Sequence, residues 1–233
     1  MKIIKNEKLI KRNSRIGQWT SIAALIVLGG GMYLSFTNPA NPKLFTYSLI
    51  ALVSGFVLTQ IGMYMGNRWG RSPRPDEQFD AGLKGLPGDY TIYHFTAPAS
   101  HLLIGPSGIW ALIPYRQRGV VTYTKNRWRV GNGGFLQSYM SIFGQEGIGR
   151  PDLEAESEIL AVRKHLAKSL DENEIPTVQA ALIFMNDTVE IQAEDAPQIA
   201  MKIKQLKDFI RQKAKEKPIN STQLAAVKAA LPE

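Results

Sequence analysis

Few side chains in this sequence are suited to chemistry, and their spacing narrows what that chemistry is. His94 and His101 stand seven positions apart in mostly apolar surroundings, and His165 is the third and last histidine. Imidazole serves as a general base or a zinc ligand. No acid-rich cluster accompanies these positions, so they read as satisfied or surface histidines, with no metal site among them. Glu77 and Asp80 lie at the start of a helical pattern. Arg116, Arg118, Lys125, Arg127 and Arg129, interleaved with Tyr115, Tyr123 and Trp128, form a basic and aromatic patch. Cations that follow phosphates, combined with rings that stack on bases, make a nucleic-acid surface. The same charges also protect an exposed hairpin edge from pairing with another chain. The glycine-rich residues 131–134 lack the Lys-Ser/Thr that a phosphate loop requires. With no cysteine in the chain, thiolate metal sites, disulfides and a cysteine nucleophile are excluded.

The elements that must position these residues begin at Asp76. Asp76 can cap a helix with Glu77 in its first turn, and Phe79, Leu83 and Leu86 recur at helical spacing until Gly85, Pro87 and Gly88 end it. Residues 90–96 alternate as a strand. Residues 102–104 and 109–113 are apolar runs flanking Gly105-Pro106-Ser107-Gly108, a turn sequence, and predict a buried β-hairpin. Residues 119–124 and 127–130 are short strand-like runs around a Lys125-Asn126 turn. Residues 131–149 form a loose glycine-rich stretch with Phe135, Tyr139 and Phe143 as packing handles.

Residues 152–170 predict an amphipathic helix with Leu153, Ile159, Leu160, Leu166 and Leu170 inward, acids early and bases late, as the helix dipole favours. Residues 177–185 suit a central strand covered on both faces, and 188–193 a further strand. Residues 197–216 predict a helix with Ile199, Ile203, Leu206 and Ile210 inward. Ser221 or Thr222 caps a last short helix, 223–231. The order helix, three strands, helix, strand, strand, helix describes an α/β domain with a mixed central sheet.

Ahead of this domain the sequence changes character. Residues 16–42 and 44–67 contain no charged side chain. Within them, 19–36 and 44–65 each approach the roughly 20 residues that cross a bilayer. They predict a transmembrane helical hairpin over 16–67, closed by the proline-broken turn 37–43. Residues 1–15 carry six lysines and arginines against one glutamate and read as a basic tail. From Arg68 onward, 21 basic residues face 19 acidic ones, so the net charge of +8 comes mainly from the tail. Lysine and arginine flank the hairpin at both ends, whereas the connecting turn has only Lys43. That asymmetry predicts a two-pass protein of the cell membrane with both termini cytoplasmic. Gly29-Gly30-Gly31 and the spacings Ala51/Gly55 and Gly62/Gly66 allow close helix approach, within the hairpin or in self-association. No ionisable group lies inside either span, so the hairpin reads as an anchor. The tail's cations set its topology and can also attract anionic lipid.

One likeness goes further. The run from His101 to Ile113, His-Leu-Leu-Ile-Gly-Pro-Ser-Gly-Ile-Trp-Ala-Leu-Ile, resembles the nuclease-related domain (NERD) family. There the hairpin reads Asp-His, an apolar strand, Gly-Pro-x-Gly, and a strand ending Glu-x-Lys. The likeness extends to the helix containing Glu77, to Arg118-Gly119-Val120-Val121 followed by Trp128, to the helix 152–170, and to Ile183-Phe184-Met185-Asn186. It covers residues 75–212.

The resemblance implies a restriction-endonuclease-like, PD-(D/E)XK-type mixed sheet flanked by helices, in a domain spanning 75–216 with 217–233 as a C-terminal short helix and tail. It also implies metal-dependent phosphodiester cleavage, with carboxylates holding magnesium and a lysine beside the attacking water. Glu77 matches the family's helical glutamate. Ser100 stands where the aspartate belongs, Ile113 where the glutamate belongs and Tyr115 where the lysine belongs, with Pro114 between the last two. A hydroxyl and a hydrocarbon cannot replace hard anionic ligands, and a neutral phenol supplies no positive charge. The expected function is therefore that of a membrane-anchored NERD-like domain, catalytically silent, acting by binding a protein or nucleic acid and needing no cofactor. Two readings stand beside it: a residual magnesium-dependent nuclease, and a membrane scaffold unrelated to nucleic acid. Arg116, Arg118, Lys125, Arg127, Trp128 and Arg129 are the candidate nucleic-acid contacts.

Overall fold

The computed structural model describes residues 1–37, 41–131 and 148–232, which fall into two compact units. The first comprises Met1–Lys5 with Pro75–Glu233, the second Asn6–Arg74. Much of the turn joining the apolar runs, and the glycine-rich stretch with Phe135, Tyr139 and Phe143, lie outside the described residues.

The first unit is an α/β domain built on a six-stranded mixed sheet in the order β1-β2-β3-β4-β7-β9. The strands are β1 (Lys2–Lys5), β2 (Thr91–His94), β3 (His101–Gly105), β4 (Gly108–Tyr115), β7 (Val178–Phe184) and β9 (Ile199–Lys202). β2, β3 and β4 form an antiparallel meander, and β1 joins β2, β4 joins β7 and β7 joins β9 in parallel. The expected hairpin is β3–β4. Gly105 pairs with Gly108 across Pro106-Ser107, and Gly108 takes the left-handed φ of 108° that glycine adopts without cost. β7 lies between two parallel neighbours, as its unbroken apolar run requires.

Alternation along β4 divides the core into two layers. Trp110 and Leu112 pack with Phe79, Leu83, Leu103, Leu206 and Ile210. These belong in part to the helices α3 (Pro75–Gly82) and α5 (Ile203–Glu216). Ile109, Ala111, Ile113 and Tyr115 enter the other layer with Leu102, Ile104, Val162 and Leu166, beneath α4 (Pro151–Leu166). A second sheet, in the order β6-β5-β8, joins this layer through Val121 and Trp128. It consists of β5 (Val120–Thr124), β6 (Arg127–Gly131) and β8 (Glu190–Gln192). Lys125 and Asn126 both have positive φ, 53° and 57°, as a two-residue hairpin turn of this hand requires. The helix α6 (Ser221–Ala229) ends the domain.

Four expectations need correction. Residues 1–15 are not a tail: Lys2–Lys5 is an edge strand of the domain, Asn6 accepts from the Leu9 amide as an N-cap, and a helix begins at Glu7. Residues 199–202 form β9 before the helix starts, because their backbone completes the edge of β7. On α4 the inward face is Ala155, Val162 and Leu166, whereas Leu153 and Leu160 are exposed. The last helix is capped by Asn220, whose side chain accepts from the Thr222 amide.

The second unit is a pair of helices, α1 (Glu7–Thr37) and α2 (Pro42–Met65), followed by a short π-helical turn at Gly66–Gly70. Both are long and apolar enough to cross a membrane. They approach each other through small residues, which permit close backbone contact. A β-carbon at Gly31 would stand 2.6 Å from that of Ala51, and one at Gly62 would stand 2.5 Å from the Ser21 hydroxyl. Gly55 receives Leu28 and Gly17 receives Met65, whereas Gly29, Gly30 and Gly66 meet nothing. Large apolar side chains such as Leu25, Ile26, Phe36 and Leu52 point outward and are exposed.

Candidate functional site

β1 brings a lysine to a place that no local pattern of residues points to. Lys5 pairs in register with His94, and His94 with His101, so the three share one cross-strand row and one face of the sheet. That face is covered by α3. The Lys5 ammonium bonds the Asp76 carboxylate at 3.3 Å and the Asp80 carboxylate more closely still. The other Asp80 oxygen accepts from His94 Nε2 at 3.1 Å. His94 Nδ1 and His101 Nδ1 then meet at 2.7 Å. With a proton on His94 Nε2, a neutral His94 accepts from His101 Nδ1–H.

Asp76, His94 and His101 are at most 1% exposed, and Phe79 packs against both imidazoles. Burial pulls the Lys5 pKa down, but the hydrogen bond and charge of Asp80, with those of Asp76, outweigh it and hold the value above that of a free lysine. Lys5 and Asp80 form the partly exposed rim of this network, and Asp76, His94 and His101 its buried interior. Its chemistry is cohesion: it fastens the first strand of the chain to the domain. The helix begins at Pro75, so Asp76 stands within its first turn rather than ahead of it.

Two positions that matter to the resemblance, Ile113 and Tyr115, lie on the opposite face. Ile113 is 1% exposed within the α4 layer, and Tyr115 stacks on Phe184. The Tyr115 hydroxyl donates to Glu154 of α4 at 2.7 Å. Burial first, then this hydrogen bond and the charges of Glu154, Glu158 and Asp152, push the Tyr115 pKa far up. The Ser100 amide donates to Glu158, one helical turn beyond Glu154, at 3.3 Å. The acids at this end of the hairpin thus come from α4 rather than from the strands. Sequence reasoning treated them only as N-terminal helix acids; their i, i+4 spacing was the available signal. Glu77 is half-buried on α3, on the other side of the sheet from Ile113 and Tyr115.

The basic and aromatic patch separates in the same way. Along β6, Arg127 and Arg129 are exposed and Trp128, 6% exposed, faces the core, where its ring lies 5.3 Å from that of Tyr123. Trp128 is therefore a core residue and is not available for base stacking. Arg129 pairs across with Thr122 and Arg127 with Thr124, so the outward face carries cations and hydroxyls without rings. Lys125 and Arg118 are exposed and Arg116 is half-buried. Among the described residues no group of three or more histidines and carboxylates is arranged to hold a metal ion. No family model, no curated protein and no solved structure matches the chain.

Proposed function

We propose that the chain is a two-pass, membrane-anchored domain of the nuclease-related type that has given up metal-dependent cleavage and acts by binding at the cytoplasmic face. The observation that carries this is the state of Ile113 and Tyr115. One is sealed in hydrocarbon and the other has committed its hydroxyl to Glu154, at the positions where the resemblance requires a metal-ligating carboxylate and a cationic lysine. The mixed sheet flanked by helices is compatible with the restriction-endonuclease-like architecture that the resemblance implies.

The path of the chain supports a hairpin anchor. β1 precedes α1 and α3 follows α2, yet β1 and α3 belong to one domain. Two crossings return the chain to the side from which it left; one crossing would not. The flanking lysines and arginines support a cytoplasmic location for that side. The binding surface we infer is the outward face of the second sheet, with Arg127 and Arg129, and its partner is acidic. Since Tyr123 and Trp128 point inward, an acidic protein segment suits this face better than single-stranded nucleic acid.

Glu154 and Glu158 favour a second reading, in which they serve a residual metal-dependent nuclease. Manganese titration of the full-length protein in nanodiscs, followed by incubation with DNA and RNA, separates the two. Binding by a silent domain gives no saturable heat and no cleavage. Saturable manganese binding lost in Glu158→Gln, together with chelator-sensitive cleavage, would establish the nuclease instead.

A further inference from the structure

We propose that the cationic face at the start of α1 is a binding site for the phosphate headgroup of an anionic phospholipid. The inference rests on reading α1 as a membrane span. Lys8, Lys11, Arg12 and Arg15 lie on one side of the helix, and Ile16, Trp19 and Thr20 continue the same stripe; together these seven residues line one shallow groove. All four cations are exposed, and Trp19 is 70% exposed.

The opposite side of α1 is already occupied. Gly17, Ser21, Leu28 and Gly31 meet α2. At 3.6 residues per turn, Lys8, Arg12, Arg15 and Trp19 fall about half a turn away from those four. The cations therefore face away from the partner helix, toward what surrounds the hairpin. Trp19 lies four positions beyond Arg15, a rise of about 6 Å. With the indole at the boundary of the acyl chains, where amphipathic rings settle, the guanidinium stands at phosphate depth. Lys11 also pairs with Glu7 at 3.5 Å on the exposed surface, which leaves Lys8, Arg12 and Arg15 as the main headgroup contacts. An arginine fork fits two phosphate oxygens, which a lysine cannot match in geometry but can replace in charge.

The complementary charge is that of an anionic lipid, for which Arg12 and Arg15 together are worth roughly tenfold or more in affinity near such a surface. The full-length protein, purified in a neutral detergent, is offered an equimolar mixture of phosphatidylglycerol and phosphatidylcholine, and the retained lipid is counted by native mass spectrometry. Phosphatidylglycerol should be retained in about tenfold preference. Arg12→Gln with Arg15→Gln should abolish the preference, Arg12→Lys with Arg15→Lys should keep most of it, and Lys164→Gln with Lys168→Gln, two exposed lysines of the domain, should leave it intact. Equal retention of the two lipids, a preference that survives Arg12→Gln with Arg15→Gln, or displacement by inorganic phosphate overturns the proposal. Flotation of the wild-type chain with phosphatidylcholine vesicles is the separate control. A chain that stays soluble there loses the anchor and this site together, whereas one that floats without lipid preference loses only the site.

Discussion

The Lys5 ammonium lies 3.3 Å from a carboxylate oxygen of Asp76, 71 positions further along the chain. Everything between them, apart from the short linker before α3, is the helical pair and its turns. The two ends of a long insertion are thus clasped by an ion pair inside the domain they interrupt, and Asp80, His94 and His101 extend the clasp into the sheet.

Lys5→Met should destabilise the domain by about 1.5–3 kcal/mol, since it withdraws charge-assisted contacts from Asp76 and Asp80. Chemical denaturation of the full chain in detergent, followed by near-ultraviolet circular dichroism, measures this. An unchanged midpoint would show that β1 is not fastened through its lysine.

The same contact sets a pH dependence. A lysine whose pKa is raised on folding contributes fully below its unfolded value and loses that contribution as the pH climbs through the folded one. Tyr115 acts in the same direction, since it also holds its proton more tightly in the folded state. Stability should accordingly be flat at neutral pH and fall above about pH 10. Both Lys5→Met and Tyr115→Phe should flatten that alkaline limb in thermal melts.

The cysteine-free background allows helix packing to be read directly. Ser21→Cys combined with Gly62→Cys should oxidise to a disulfide within one chain, visible as faster migration of the monomer on a non-reducing gel. A dimer band as the main product would reassign this small-residue contact to self-association.

On β6 neighbouring residues should respond in opposite ways. Trp128→Ala should cost about 3–5 kcal/mol by emptying a core position. Arg127→Ala with Arg129→Ala should stay within about 0.5 kcal/mol while weakening capture of acidic peptides. Loss of stability in the arginine variant would place these side chains in the fold rather than on its surface.

Gly105→Ala should destabilise the hairpin by about 1–3 kcal/mol, the usual cost of overpacking. A β-carbon there would lie 2.1 Å from the Tyr90 ring. Tyr90→Leu in the same chain should recover part of the loss, measured by denaturant midpoint.

The hairpin 101–115 was legible because period-two apolarity and Gly-Pro-Ser-Gly agree with each other, and the central strand 178–184 because nothing polar interrupts it. β9 was hidden by Ile199, whose spacing to Ile203, Leu206 and Ile210 continues the helix that follows. β1 was hidden for another reason. Four residues with two isoleucines carry no periodicity, and the partner that makes them a strand lies far along the chain. The face of α4 was misread because Leu153 and Leu160 are apolar but exposed, a surface apolarity that pattern reading converts into burial. The candidate site suffered from the same limits: replacement of the strand carboxylates was visible, but the approach of Glu154 and Glu158 depended on how a helix lies over a sheet.

The position of β1 also orders events during synthesis. This strand is made well before its partner and can pair only after Thr91–His94 has emerged. Before that, both long helices, α1 and α2, must be made between the two strands. A chain in which β1 fails to dock would present β2 with an open edge, ready to recruit a stray strand.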